Sequence, residues 1–485
     1  MSLEGRKRWL ALLVLCLGDL MIVLDVTIVN VALPSIQADL GFSETSLAWV
    51  VNAYVITFGG FLLLGGRLGD LFGHRRLFLI GLAVFTVASL ACGLAASQEF
   101  LVAARAVQGF GGAVVSVVAL SLTMIMFTEP AERAKAMGIF GFVLSGGGTA
   151  GVLLGGVLTD LLSWNWIFLV NIPVGAAVVV LSLLLLPGER ASADGGRLDL
   201  AGAVTITASL MIAVYAIVNG NETGWTSAET LGLLGASVAL LAVFLVVEAR
   251  HNSPLVPLGL LRFRNLSTAN VIGILMAGGM FAAFFLSALY LQQVLGYTPL
   301  EVGLAYLPST VIWGASSFFL SDKLVMRFGI KPPLVVGLSL MAVGILLLAR
   351  APVDGSFAVD ILPAMVLQGF GAGIGFNPIL LAAMGDVGPA ESGLASGIVN
   401  TSFMMGGALG LAVIASVSAS RTETLLDSGE SSLSALTGGY HLGFLLGALF
   451  AGGAAALGAA LLRPVAGLAG HGGGEFGEPV IAEPE

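Results

Sequence analysis

Five polar side chains stand in long apolar stretches, and their types suit proton and cation chemistry. Asp19, Asp25 and Asn30 lie in the first stretch, Arg105 and Gln108 in the fourth. An unpaired charge at the centre of a bilayer costs about 2.5–3.5 kcal/mol on insertion scales. Asp25 must therefore face a wet cavity, carry a proton for part of its cycle, or both. Its carboxyl can exchange a proton for an organic cation, because both compete for one group; a plain hydrogen bond to a neighbouring helix is the other reading. Arg105 does not discharge readily and needs acceptors or water in the interior. It reads as a coupling group or as a clamp on helix ends, with Gln108 on the following turn. Asp19 is six residues before Asp25, about 120° away in helical projection, so the two need not share a face. A proton relay, a cation contact and a partner for a basic group all stay open for it.

A second constellation lies between the second and third stretches. Residues 65–76 bring together Gly65, Gly66, Arg67, Gly69, Asp70, Gly73, Arg75 and Arg76. The spacing predicts a tight, charged polar break in which the glycines permit close packing. Asp70 would cap a helix N-terminus or pair with an arginine, and topology control by the arginines is the simpler alternative. Glycines also crowd the fifth stretch, Gly151 and Gly155 among them, where they imply close backbone approach.

These residues need membrane helices to hold them. Of 485 residues, 57% are hydrophobic and 10% charged, and the mean hydropathy is +1.00, far from the usage of soluble domains. Apolar runs at 9–32, 47–66, 77–96, 101–126, 136–160, 166–187, 199–219, 230–248, 266–292, 302–320, 334–350, 360–384, 395–418 and 440–463 predict fourteen spans near the roughly 20 residues a crossing needs. The expected class is an all-α polytopic membrane protein. The first run is retained as a helix rather than a cleaved signal. Residues 464–485, rich in glycine and acid, are expected to form a disordered cytoplasmic tail.

Basic residues set the orientation. With the N-terminus in the cytoplasm, only Arg350 and Arg421 of the 20 fall outside and Arg105 within a span, a strong positive-inside bias. Both termini are then cytoplasmic.

The chain also repeats itself. Val107-Gln108-Gly109-Phe110-Gly111 returns as Leu367-Gln368-Gly369-Phe370-Gly371, and Phe72-Gly73-His74-Arg75 is echoed by Phe328-Gly329-Ile330-Lys331. Two echoes at nearly equal offset and matching helix rank imply two related six-helix bundles, 9–187 and 266–463, with a pair of inserted helices at 199–248. Facing repeats of this kind suggest alternating access around a midplane site.

Four segments in order resemble the major facilitator superfamily, in its fourteen-helix drug:proton antiporter branch. They are Leu24-Asp25-Val26-Thr27-Ile28-Val29-Asn30-Val31-Ala32-Leu33-Pro34, the stretch 66–76, Arg105-Ala106-Val107-Gln108-Gly109, and Trp164-Asn165-Trp166-Ile167-Phe168-Leu169-Val170-Asn171-Ile172-Pro173. The resemblance covers nearly the whole chain. It implies a major facilitator fold, a substrate or proton role for Asp25, proton coupling for Arg105, and a cytoplasmic gate latch built from Gly66, Arg67, Asp70, Gly73, Arg75 and Arg76. The fifth helix looks like the family's antiporter motif, although Gly151-Val152 stands where relatives usually have Gly-Pro, which removes a fixed helix perturbation. Phe403-Met404 stands where relatives often carry Arg-Gln, implying a less polar cavity.

The expected function is proton-coupled efflux of a hydrophobic or cationic drug-like compound or secondary metabolite, in the cytoplasmic membrane of a bacterium, by a monomer in contact with lipid. Proton-coupled uptake and a non-transporting membrane sensor are the alternatives. Nothing in the sequence points to a metal, a cofactor or nucleic acid: the four histidines are scattered, and no glycine cluster ends in a phosphate loop's Gly-Lys-Ser/Thr.

Overall fold

A computed structural model describes residues 3–127, 129–186, 199–251, 254–385, 387 and 392–463. The tail expected at 464–485 lies outside the described residues, as do the side chains of Arg67 and Asp70.

The described chain is helical throughout, without strands. The helices are α1 (Leu3–Leu40), α2 (Glu44–Phe72), α3 (His74–Gly93), α4 (Gln98–Met126), α5 (Pro130–Leu161), α6 (Trp166–Leu169), α7 (Asn171–Leu185), α8 (Leu200–Thr223), α9 (Ala228–Arg250), α10 (Arg264–Leu289), α11 (Pro299–Ser316), α12 (Asp322–Phe328), α13 (Lys331–Leu348), α14 (Leu362–Gly385), α15 (Ser392–Asp427) and α16 (Ser432–Leu461). Among the described residues, 13 helical stretches are long and apolar enough to cross a membrane, and Ala150–Leu161 is the apolar end of α5. Each of the fourteen apolar runs is thus helical. Two are interrupted: α6 and α7 meet at Val170, and α11 passes into α12 through a wide turn at Ser317–Ser321.

Local chemistry sets the ends. Ser43, Ser97, Ser227 and Ser431 each accept from the backbone N–H three residues on, and Thr298 forms a reciprocal capping box with Glu301. The polar break expected at 65–76 is smaller than its composition suggests. Helix α2 runs through all its glycines to Phe72, and only Gly73, at φ 88°, turns the chain before α3 begins. A bilayer leaves no partner for freed backbone groups, so the helix persists until a left-handed glycine can end it. Close packing offsets the roughly 1 kcal/mol per glycine lost in helix propensity. A methyl on Gly65 would lie 3.3 Å from Val114 Cα.

The echoed segments occupy corresponding places on their helices. Gly329 (φ 79°) ends α12 after Phe328 as Gly73 ends α2 after Phe72. Helix α4 packs on α2 and α3, and α14 packs on α11 and α13. The crossings match in detail: a methyl on Gly111 would lie 3.0 Å from the Gly81 carbonyl oxygen, and one on Gly371 2.7 Å from that of Gly337. The two six-helix groups meet along α2 with α15 and α5 with α11. The inserted pair, α8 and α9, is joined by Ser209 donating to the Ser237 carbonyl at 2.8 Å, and α8 lies against both α2 and α15. Ser416 of α15 donates to the Ile217 carbonyl of α8 at 3.1 Å, and Trp49 of α2 packs on Tyr215 with ring centroids 6.5 Å apart.

Candidate functional site: a buried ion pair among six helices

Asp25 and Arg105 find each other. The α1 carboxylate and the α4 guanidinium form an ion pair with side-chain exposures of 0% and 1%. Arg105 Nη1 donates to Asp25 Oδ2 and, at 2.7 Å, to Gln108 Oε1, while its Nε donates to the Val50 carbonyl of α2 at 2.9 Å. Gln108 Nε2 donates at 2.7 Å to Asp25 Oδ1 and at 2.8 Å to Ser89 Oγ of α3. Asn171 Nδ2, at the start of α7, reaches the same Oδ1 at 3.2 Å. The guanidinium lies between two rings, 4.3 Å from the Tyr54 centroid and 5.5 Å from that of Phe168 in α6.

The arrangement has a direction. Three side chains aim N–H donors at Asp25, which suits an ionised carboxylate and removes most of the cost of burying it. A proton on Asp25 would displace at least one donor and leave Arg105 without its counter-ion. Charge state and helix packing are therefore tied together across five membrane spans.

Asp19 belongs to the same region. Ser116 of α4 donates to Asp19 Oδ1, and Asp19 is 4% exposed. Both α1 acids thus reach α4 despite their angular separation, because α4 presents Gln108 and Ser116 at different depths. Asn30 does not join them: it is half-buried, and its Nδ2 donates to the Val26 carbonyl of its own helix at 3.1 Å. Five residues from Asp25, it lies about 140° around the helix.

The glycines of α5 form a face on α1. Methyls on Gly151 and Gly155 would lie 3.1 Å from the Leu24 carbonyl oxygen and 2.7 Å from that of Ile28, so α5 presses on the backbone flanking Asp25. On the next residue, about 100° around α5, a methyl on Gly156 would lie 2.7 Å from the Pro299 carbonyl oxygen of α11. At the far end of α1 the groups are also joined by Gln292 donating to the Val31 carbonyl at 2.8 Å and Gln293 to Gln37 Oε1 at 2.6 Å.

Of the residues expected to latch the gate, Gly73 supplies the turn. Arg75 donates to the Leu183 carbonyl at 2.7 Å, and Arg76 is exposed. Arg67 and Asp70 stand in the last turns of α2, with side chains outside the described set. A further contact at this end joins α1 to α5: Arg8 pairs with Glu132 at 3.1 Å.

The second group lacks an equivalent ion pair at the repeated positions. Met365, buried, stands three residues before Gln368, where Arg105 stands before Gln108. Phe403 packs edge-on against Phe281 and Phe376, at 5.9 and 5.3 Å between centroids, which makes this part of α15 apolar. Two shallow concavities of about 350 and 270 Å³ line α13, α15, α16 and Trp225; neither contains a residue of the ion-pair network.

Sequence reasoning missed Ser89, and it placed Phe168 and Asn171 only within the segment 164–173. The available signal for Asn171 was an amide two residues before a proline at a span entrance.

A polytopic helical bundle with a charged pair sealed among its first seven helices is the architecture of a membrane transporter, not an enzyme. The chain belongs to the major facilitator superfamily, whose family model matches residues 15–411. It is 39% identical over 458 residues to the puromycin resistance protein pur8 of Streptomyces alboniger, covering 94% of this chain and 90% of that one. It is also 39% identical over 415 residues to the cephamycin export protein CmcT of Amycolatopsis lactamdurans, covering 85% of each. An auto-inhibited POT family peptide transporter shares the fold at a TM-score of 0.65 and 17% identity, covering 95% of this chain and 98% of that one.

Proposed function

We propose that this protein exports amphiphilic, drug-like compounds from a bacterial cell in exchange for protons, by alternating access between its two six-helix groups. The observation that carries the coupling is the sealed Asp25–Arg105 pair, and the names of the relatives support the substrate class. Asp25 takes a proton from the outside, its bond to Arg105 weakens, and the packing of α1 on α4 and α5 relaxes toward the other state. Release of that proton to the cytoplasm restores the pair. Gly151 and Gly155 let α5 follow α1, and the 65–76 segment, with Gly66, Arg67, Asp70, Gly73, Arg75 and Arg76, latches the cytoplasmic gate. Each proton supplies about 2.3 kcal/mol per 100 mV of membrane potential and about 1.4 kcal/mol per pH unit.

In this reading the protein is a monomer in the cytoplasmic membrane with both termini cytoplasmic. The bundles span 9–187 and 266–463, and 199–248 is the inserted pair. The apolar α15 surface around Phe403 and Met404 favours a hydrophobic substrate over a small sugar.

Everted membrane vesicles with an imposed acid-inside gradient test the export direction with puromycin as probe. Accumulation in everted vesicles with consumption of the gradient is expected. Accumulation only in right-side-out vesicles would replace export by uptake, and binding without movement in either would replace transport by sensing.

A further inference from the structure

The Tyr54 hydroxyl is buried and makes no hydrogen bond within the protein, although its ring lies against Arg105. Its position is set by Gly112: a methyl there would lie 2.9 Å from the Tyr54 oxygen and 3.5 Å from Ile22. Gly112 is one turn from Gln108, which holds Asp25, and one turn from Ser116, which holds Asp19. Ile22 divides Asp19 from Asp25 on α1 in the same way. Four residues rise about 6 Å along a helix, so the hydroxyl, against Gly112, stands at a depth between Gln108, which holds Asp25, and Ser116, which holds Asp19. The charged groups acting on it are Asp25, Arg105 and Asp19, from α1 and α4.

We propose that the Tyr54 hydroxyl relays the proton between Asp25 and Asp19. The inference rests on the proton-coupling reading and adds a route to it. Protonated Asp25 gives its proton through a bridging water to the Tyr54 oxygen, while the phenolic proton passes through a second water to the Asp19 carboxylate. Asp25 ends as carboxylate, free to bind Arg105 again, and Asp19 ends as the acid. Tyr54 is neutral before and after, and rotation about its C–O bond resets it. Gly112 is a positioning residue, because any side chain there displaces the hydroxyl.

The test is proton release by the full-length purified protein after an alkaline pH jump, followed with a pH dye, so that no transported compound is needed. Tyr54→Phe removes only the hydroxyl and keeps the ring on Arg105. Gly112→Ala keeps the hydroxyl but moves it, and serves if the first variant fails to fold. Both are expected to release as many protons as the wild type, with the phase missing in Asp25→Asn slowed on the order of a hundredfold. That phase at wild-type speed in a folded variant overturns the relay alone. Equal proton release by Asp25→Asn and wild type overturns the coupling reading, and the relay with it.

Discussion

Asp25 and Arg105 are sealed from solvent against each other, and the same Arg105 nitrogen that holds Asp25 also holds Gln108. Neither charge is tolerable there alone. Removing one partner of a buried pair costs about 3–5 kcal/mol, while replacing both with neutral groups of similar size is often close to neutral. Asp25→Asn should therefore lower the unfolding temperature in detergent, and Asp25→Asn with Arg105→Met should recover most of it. Coupled transport should be absent from both variants. Recovery of gradient-driven transport in the double variant would make the pair structural only.

The α5 glycines carry a separate prediction. A methyl on Gly155 would approach the Ile28 carbonyl oxygen to 2.7 Å, and that neighbour is backbone and does not swing away. Overpacking of this kind costs about 1–3 kcal/mol. Gly155→Ala should lower the unfolding temperature, whereas Gly148→Ala, with nothing within 4 Å, should not. Thermal unfolding of the two variants side by side checks this.

At Gly73 the φ of 88° allows no side chain without strain. Gly73→Ala should destabilise the protein by about 1–3 kcal/mol, and Gly73→Asn by a similar amount, because ψ is 125° and lies outside the αL well that asparagine tolerates. Equal stability of wild type and Gly73→Ala would mean that the α2–α3 turn can take another path.

Much of this was legible from residue types. Charge in an apolar run is rare enough to point directly at Asp25, Asp19 and Arg105, and the echoed Gln-Gly-Phe-Gly and Phe-Gly segments point to the matching crossings at Gly111 and Gly371 and the matching turns at Gly73 and Gly329. The neutral members of the site were not legible. A small polar side chain in a membrane helix can satisfy itself on its own backbone, as Asn30 does with Val26 and Thr27 with Val23 at 3.0 Å, so a residue such as Ser89 carries no mark in the sequence that sets it apart. The stretch at 65–76 misled in the other direction. Its composition read as a break of several residues, but helix α2 continues to Phe72 and only Gly73 bends the chain.

Orientation can be tested on an almost silent background, because Cys16 and Cys92 are free and buried at 2% and 0% exposure. A membrane-impermeant maleimide added to intact cells should label Glu430→Cys and leave Arg76→Cys unlabelled until the membrane is opened. The reverse pattern would invert the topology.

The exposed Arg8–Glu132 pair gives a contrasting case, with side chains 41% and 32% accessible. Such pairs contribute about 0–1 kcal/mol. Glu132→Gln should leave the unfolding temperature within error of wild type and coupled transport intact, in contrast with any change at Asp25.

The most direct measurement is the proton count of puromycin transport in proteoliposomes holding either wild type or Asp25→Asn at matched reconstitution. Wild type should drive puromycin against its gradient when a proton gradient is imposed, and consume that gradient as it does so. Asp25→Asn should at most equilibrate puromycin and leave the proton gradient untouched. Uphill puromycin movement by Asp25→Asn, with the same proton consumption as wild type, would contradict the account.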